Sequence, residues 1–300
     1  MGVGHGHGHG HAGGRHRWRL AVAFGLVAAY FGVELGVGLW SGSLALLSDA
    51  GHMAADVVAL GAALAATRIA TMPDRTGRKT FGSYRAEVFA SGLTVLLMLA
   101  AGVYVAIEGV RRIGETVTLD TGAVVVVGAI GLLVNLVALA LLRGGAGESL
   151  NVKGAYLEVV ADTVGSVGVI AAGVLVATTG SAGWDTAIAL AIGLFVVVRA
   201  LMLGREVLAV LGQHAPAGMD PADVETVLTA VAGVAEVHDL HLWTLTSGMN
   251  VATAHLVAVQ GADAGTVLSG ARAALREEYG VEHATLQVES DASACGEISW

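Results

Sequence analysis

The sequence predicts a polytopic α-helical membrane protein: a six-helix transmembrane bundle followed by a small soluble α/β domain. Mean hydropathy is +0.70 and only 14% of the 300 residues are charged, as expected of a chain that lies mostly in lipid. Six apolar runs succeed one another before residue 212, each near or above the ~20 residues that cross the hydrocarbon core. From Gln213 onward the pattern changes to short alternating stretches between helix-start and helix-stop signals. There, 12 acidic residues stand against Arg272 and Arg276, a balance of −10, so the net −9 of the chain belongs to this tail. That balance leaves no basic surface for nucleic acid.

Taken in order, the chain opens MGVGHGHGHGHAGGRHR, in which His5, His7, His9 and His11 alternate with glycine. Residues 1–17 cannot bury a core and are expected to be disordered. The tract reads either as a purification tag or as a weak metal-collecting tail. Tags usually run histidine without spacers, and neutral imidazoles bind Zn²⁺, Ni²⁺ or Cu²⁺, which favours the second reading. No cleavable leader is expected, because the first apolar run is already as long as a span.

The runs are Trp18–Trp40, Leu44–Arg68, Ala86–Arg111, Thr121–Leu142, Gly154–Thr178 and Thr186–Leu208, and with their flanks they make up a membrane domain over residues 18–212. Glycines such as Gly32, Gly36, Gly165 and Gly168 suit close helix packing in lipid. With the N-terminus inside, 12 of the 14 Lys and Arg residues before Gln213 lie on the inner side, and only Arg111 and Arg112 fall outside. The excess of positive charge inside sets that orientation, and an even number of spans returns the acidic tail to the cytoplasm.

Two matched steps stand within these runs. His52 and Asp56 lie four apart in the second, and Glu158 and Asp162 four apart in the fifth. A four-residue step places both side chains on one helix face, about a turn apart. Three carboxyls and an imidazole at membrane depth are costly unless they pair, bind an ion or face a water-filled cavity. On two helices the steps can close four ligands around one divalent ion, which points to a membrane metal transporter. Glu34 in the first run and Asp49 one turn before His52 read either as ion-access residues or as interfacial and packing carboxylates. Asn135 reads as an interhelical hydrogen bond.

The tail, residues 213–292, is expected to run α-β-β-α-β, with 293–300 as a short end. Asp220 and Pro221 start a helix that ends near Ala232 and Gly233. VHDLHLWTLTSGMNVATAHLVA then alternates and turns at Ser247-Gly248, as a β-hairpin does. A second helix covers about Ala264–Tyr279 and stops at Gly280, and His283–Glu289 is a last strand. The hairpin can set His238 opposite His255, and Glu289 can arrive on the neighbouring strand to complete a metal site. His241 reads as a surface or hydrogen-bonded histidine. The single cysteine, Cys295, excludes an internal disulfide and a cysteine-only zinc site.

SGSLALLSDAGHMAADV, LNVKGAYLEVVADTVGSVGVI and VHDLHLWTLTSGMNVATAHL with HATLQVE together resemble the cation diffusion facilitator family, in its zinc-exporting bacterial branch. The resemblance covers about Arg17 to Ser290. It implies a homodimer in the cell membrane that exports Zn²⁺ or another divalent metal from the cytoplasm in exchange for protons. It also implies a ferredoxin-like cytoplasmic domain that dimerises and binds regulatory metal. The transport ligands would be His52, Asp56, Glu158 and Asp162; the tail ligands would be His238, His255 and Glu289, with His283 as a neighbour. Zinc-selective relatives usually carry histidine where this chain has Glu158, and a carboxylate there makes the site harder and more tolerant of Mn²⁺ or Fe²⁺. Cobalt and cadmium are further alternatives as cargo. Rival readings from other classes are a membrane metalloenzyme and a metal-sensing module. The first is disfavoured because no HExxH or comparable helix-borne catalytic set occurs and a fourth ligand closes the shell. In the second, the intramembrane carboxylates would be dispensable.

Overall fold

The computed structural model describes residues 17–69, 80–82, 85–113, 119–143, 150–246 and 248–290. Six long helices come first: α1 (Arg17–Ser41), α2 (Leu44–Ile69), α3 (Arg85–Arg111), α4 (Thr121–Arg143), α5 (Leu150–Thr179) and α6 (Gly183–Leu211). They follow the six apolar runs, because a backbone surrounded by hydrocarbon must close its hydrogen bonds within its own helix. Among the described residues, five of the six are long and apolar enough to cross a membrane. The remaining one, α2, has 26 residues; Asp49, His52 and Asp56 lower its hydropathy.

The contacts divide the chain into two compact units. In the first, α1 and α5 each pack against both α2 and α4. Their shared core holds Tyr30 of α1, Leu46 and Met53 of α2, Val127 of α4 and Val169 of α5. A smaller core joins Ala55 of α2 to Met98 of α3 and Val196 of α6. Gly165 lets α5 approach α2, since a Cβ there would stand 2.6 Å from Asp49 Oδ1. On the outer faces Phe89, Leu96, Leu133 and Leu194 are 62–66% exposed. Spread over several helices, such a belt is an aggregation surface in water and a contact surface in lipid.

A polar clamp fixes the start of α2. Ser43 Oγ donates to Asp185 Oδ1 at 2.7 Å and accepts from the Leu46 N–H at 3.2 Å, while the Leu44 N–H donates to Asp185 Oδ2 at 2.8 Å. Asp185 belongs to α6, so one helix caps another. Arg112 closes the clamp: Nη1 donates to Gly42 O at 2.7 Å and lies 4.0 Å from Asp185 Oδ2. Asp185→Ala is expected to cost about 1–3 kcal/mol, because it strands a buried helix-start N–H and a hydroxyl. The check is the thermal midpoint of the purified protein in detergent; an unchanged midpoint would remove the clamp from the account.

The second unit is a three-stranded sheet with two helices: α7 (Pro221–Thr229), β1 (Val234–Thr246), β2 (Met249–Ala258), α8 (Ala264–Tyr279) and β3 (His283–Glu289). Asp220 caps α7 through the Ala222 N–H at 3.0 Å. The helix stops three residues before the expected Ala232, because residues 230–233 turn back through Val234 N–H to Val231 O, with Gly233 at φ +92°. Asp263 caps α8 by accepting from the Thr266 N–H and hydroxyl, both at 2.8 Å, and these bonds hold its carboxyl below the usual range. Gly280, at φ +64°, ends α8 in the left-handed conformation that an L side chain resists.

Strand order is β1-β2-β3, with β1 antiparallel and β3 parallel to β2. Val237, Leu242, Ala254, Leu256 and Leu286 pack with Val224 and Leu228 of α7 and Val267, Ala271 and Leu275 of α8. Because side chains alternate along a strand, the residues between them face the side that the helices leave open. His238, His255 and Gln287 lie there.

Candidate metal sites

The first candidate site is built where α2 meets α5. One turn of α2 separates His52 from Asp56, and α5 brings Asp162 beside them; all three are 3–4% exposed. His52 Nε2 stands 3.0 Å from Asp162 Oδ1 and 3.5 Å from Asp56 Oδ2. One ligand atom from each residue lies within 4.8 Å of the others. Ligand atoms around a tetrahedral zinc are about 3.3 Å apart, given metal bonds of about 2.0–2.2 Å, so the spacing is that of a shell. His52 Nδ1 and Asp162 Oδ1 make no well-directed hydrogen bond although buried, which is unusual for polar atoms inside a protein. Glu158 sits one turn before Asp162 in α5, and its side chain lies outside the described residues, as do His5, His7, His9 and His11.

Glu34 and Asp49 both lie inside the bundle. They are 0% and 2% exposed. Glu34 Oε1 lies 3.2 Å from the Tyr30 hydroxyl, which also reaches Val127 O at 3.0 Å. Asn135 does bridge helices, donating to Ser166 Oγ of α5 at 3.2 Å.

The second candidate site lies on the open face of the sheet. His238 and His255 are register partners on β1 and β2, and Glu289 pairs with Val257, two residues further along β2. Glu289 Oε2 is 3.2 Å from His238 Nε2, and Oε1 is 3.1 Å from His255 Nδ1. Gln287 Nε2 donates to Oε1 at 2.7 Å and orients the carboxylate. His283 does not join them. It starts β3, six residues from Glu289 and so roughly 20 Å along the strand, with its exposed ring edge-on to Phe81 at 5.4 Å. The expectation of His283 as a neighbouring ligand is therefore corrected within one chain: strand geometry sends the two ends of β3 apart.

Three contributors escaped the sequence reading. The β1 ladder shifts register between His238 and His241, where Asp239 adopts φ +52°. This bulge turns both histidines toward the open face and carries Asp239 to 2.9 Å from His241 Nε2 and 3.8 Å from His255 Nε2. Gln287 stood out in no motif. Arg199 of α6 reaches His52, with Nη1 3.2 Å from Nε2; an arginine inside an apolar run was a usable signal, since such charges usually serve a site.

A multi-pass bundle with a buried His-Asp-Asp cluster, carrying a soluble domain with a His-His-Glu cluster, defines a metal-handling membrane protein. Residues 20–211 match the cation efflux transmembrane domain, and residues 216–291 match the cation efflux protein cytoplasmic domain. The chain belongs to the cation diffusion facilitator, or cation efflux, family, whose members are metal transporters and not enzymes. It is 40% identical to the metal cation efflux system protein CzcD of Cupriavidus metallidurans, over 96% of this chain and 90% of that one. It is 32% identical to the cadmium, cobalt and zinc/H(+)-K(+) antiporter of Bacillus velezensis, over 93% and 90%. With the zinc transporter ZitB of Escherichia coli it shares 33%, over 90% and 87%. A solved structure, the metal-bound C-terminal domain of the CzcD transporter, matches 24% of this chain and 99% of its own, at 36% identity and a TM-score of 0.23.

Proposed function

We propose that this protein exports divalent metal from the cytoplasm, zinc first, in exchange for protons. The observation that carries the reading is the buried cluster of His52, Asp56 and Asp162 between two helices of a membrane bundle. Glu158, one turn before Asp162, is the fourth ligand of the transport site. Ligands must shed protons to bind metal, so loading the site releases protons and protonation from the far side releases metal. Histidine titrates near neutral pH, which suits exchange driven by a proton gradient. The antiport named for the Bacillus relative supports this coupling, and ZitB is named for zinc alone.

The same reading assigns residues 1–17 to weak metal collection, 18–212 to transport, 213–292 to the cytoplasm and 293–300 to a short end. Both termini face the cytoplasm across the inner membrane. Two copies associate through the cytoplasmic domain, in keeping with its family. His238, His255 and Glu289 form a regulatory site: two imidazoles and a carboxylate suit Zn²⁺, and a divalent ion there would offset part of the tail's negative charge.

The test is metal-driven proton flux in proteoliposomes, comparing Zn²⁺ with Mn²⁺ and Fe²⁺, for the wild type and Glu158→His. Zinc is expected to be the best substrate of the wild type. Exchanging carboxylate for imidazole should lower Mn²⁺ and Fe²⁺ flux by about tenfold and leave zinc flux within about twofold. A wild type that prefers Mn²⁺ or Fe²⁺, with zinc preference appearing only in Glu158→His, would remove zinc as the principal cargo. Metal flux indifferent to a pH gradient would remove the antiport.

A further inference from the structure

Arg199 lies in α6, and the Nη1 it brings to 3.2 Å from His52 Nε2 reaches across 147 residues of sequence. The guanidinium also lies 5.8 Å from the Phe195 ring centroid, on its own helix. A guanidinium has donors and no acceptor, and it does not deprotonate in proteins. The guanidinium therefore stands as a fixed cation against the imidazole edge that also faces Asp56 and Asp162. Nε2 is also the ring nitrogen nearest Asp56 and Asp162, and so the one that a metal bound between the three residues would take. Metal and guanidinium cannot both lie against that nitrogen. A fixed positive charge beside a divalent ion also repels it strongly in a site away from water.

We propose that Arg199 is a tethered cation that stands beside His52 Nε2 in the metal-free site and yields its place to the incoming ion. The inference rests on His52, Asp56 and Asp162 being the transport site. Arg199 then serves two ends. It keeps a positive partner beside buried carboxylates when no metal is present, and it competes with bound metal, which weakens affinity and speeds release. The cargo pushes the arginine aside on loading, and the arginine's return helps to discharge it.

The test is zinc transport by the full chain in proteoliposomes, resolved into KM and kcat, for Arg199→Met and Arg199→Lys. Removing the competing charge in Arg199→Met should lower KM about tenfold and lower kcat to a similar degree, because tighter binding slows release. Arg199→Lys keeps the charge and should hold both within about threefold of wild type. An unchanged or raised KM in Arg199→Met, or identical behaviour of the two variants, overturns the proposal; a merely structural arginine would lower activity without tightening KM. A measurement on the unaltered protein stands beside it: phenylglyoxal modification of Arg199, followed by peptide mass spectrometry, should be faster with saturating Zn²⁺ than with chelator. Equal or slower modification overturns the displacement. Asp162→Ala in the same assay separates two failures. If it transports normally, the site reading falls and the arginine's role with it. If it is inactive while Arg199→Met keeps the wild-type KM, only the arginine's role falls.

Discussion

Asp162→Ala is expected to bring zinc export to background while the bundle stays folded. The carboxylate is 4% exposed, and its Oδ1 faces His52 Nε2 at 3.0 Å without a well-directed hydrogen bond. Burying an ionised group without full compensation costs free energy. Its removal is therefore not a loss to the fold of the kind that follows from breaking a satisfied network. For metal the loss is direct: even residues that only support a ligand are worth 10–100-fold in affinity, so a ligand itself should cost on the order of a hundredfold or more. Flux in everted vesicles and a thermal melt of the purified protein check the two halves. Transport at the wild-type rate would show that the cluster is not the transport site. A collapsed melt would show that Asp162 serves the fold instead.

In the tail, Glu289→Ala is expected to remove one equivalent of bound zinc per chain, measured by equilibrium dialysis of the full-length protein. Glu289 is 7% exposed and draws together two strands' worth of histidine, His238 from β1 and His255 from β2. Without it two imidazoles remain, too few for a closed tetrahedral site, and affinity should fall by on the order of a hundredfold. The sheet should persist, since its core of Val237, Leu256, Leu275 and Leu286 lies on the face packed against the helices. Asp162→Ala should remove a different equivalent, and the double variant both. Unchanged zinc stoichiometry in Glu289→Ala would reduce the cluster to a hydrogen-bond network.

The sequence by itself determined everything that repeats within one element. Hydropathy located the six long helices, because the bilayer demands some twenty apolar residues in a row. Among the described residues, five of them are long and apolar enough to cross a membrane. The four-residue steps put His52 with Asp56, and Glu158 with Asp162, on common helix faces. Alternation and a Ser-Gly turn placed the hairpin, so the pairing of His238 with His255 was legible in advance. The long motifs fixed the family before any contact was known.

Only the tertiary structure decided the meetings between elements far apart in the chain that no motif pointed to. Arg199 meets His52 from 147 residues away, and Asp185 caps a helix that begins 141 residues earlier. No period in the chain encodes either meeting, since packing between helices selects them. The bulge at Asp239 is a local departure, yet the ladder with β2 is what makes it visible. His283 belongs to the same lesson. By composition it stood as near to Glu289 as any histidine in the tail, but the rise of an extended strand carried the two apart.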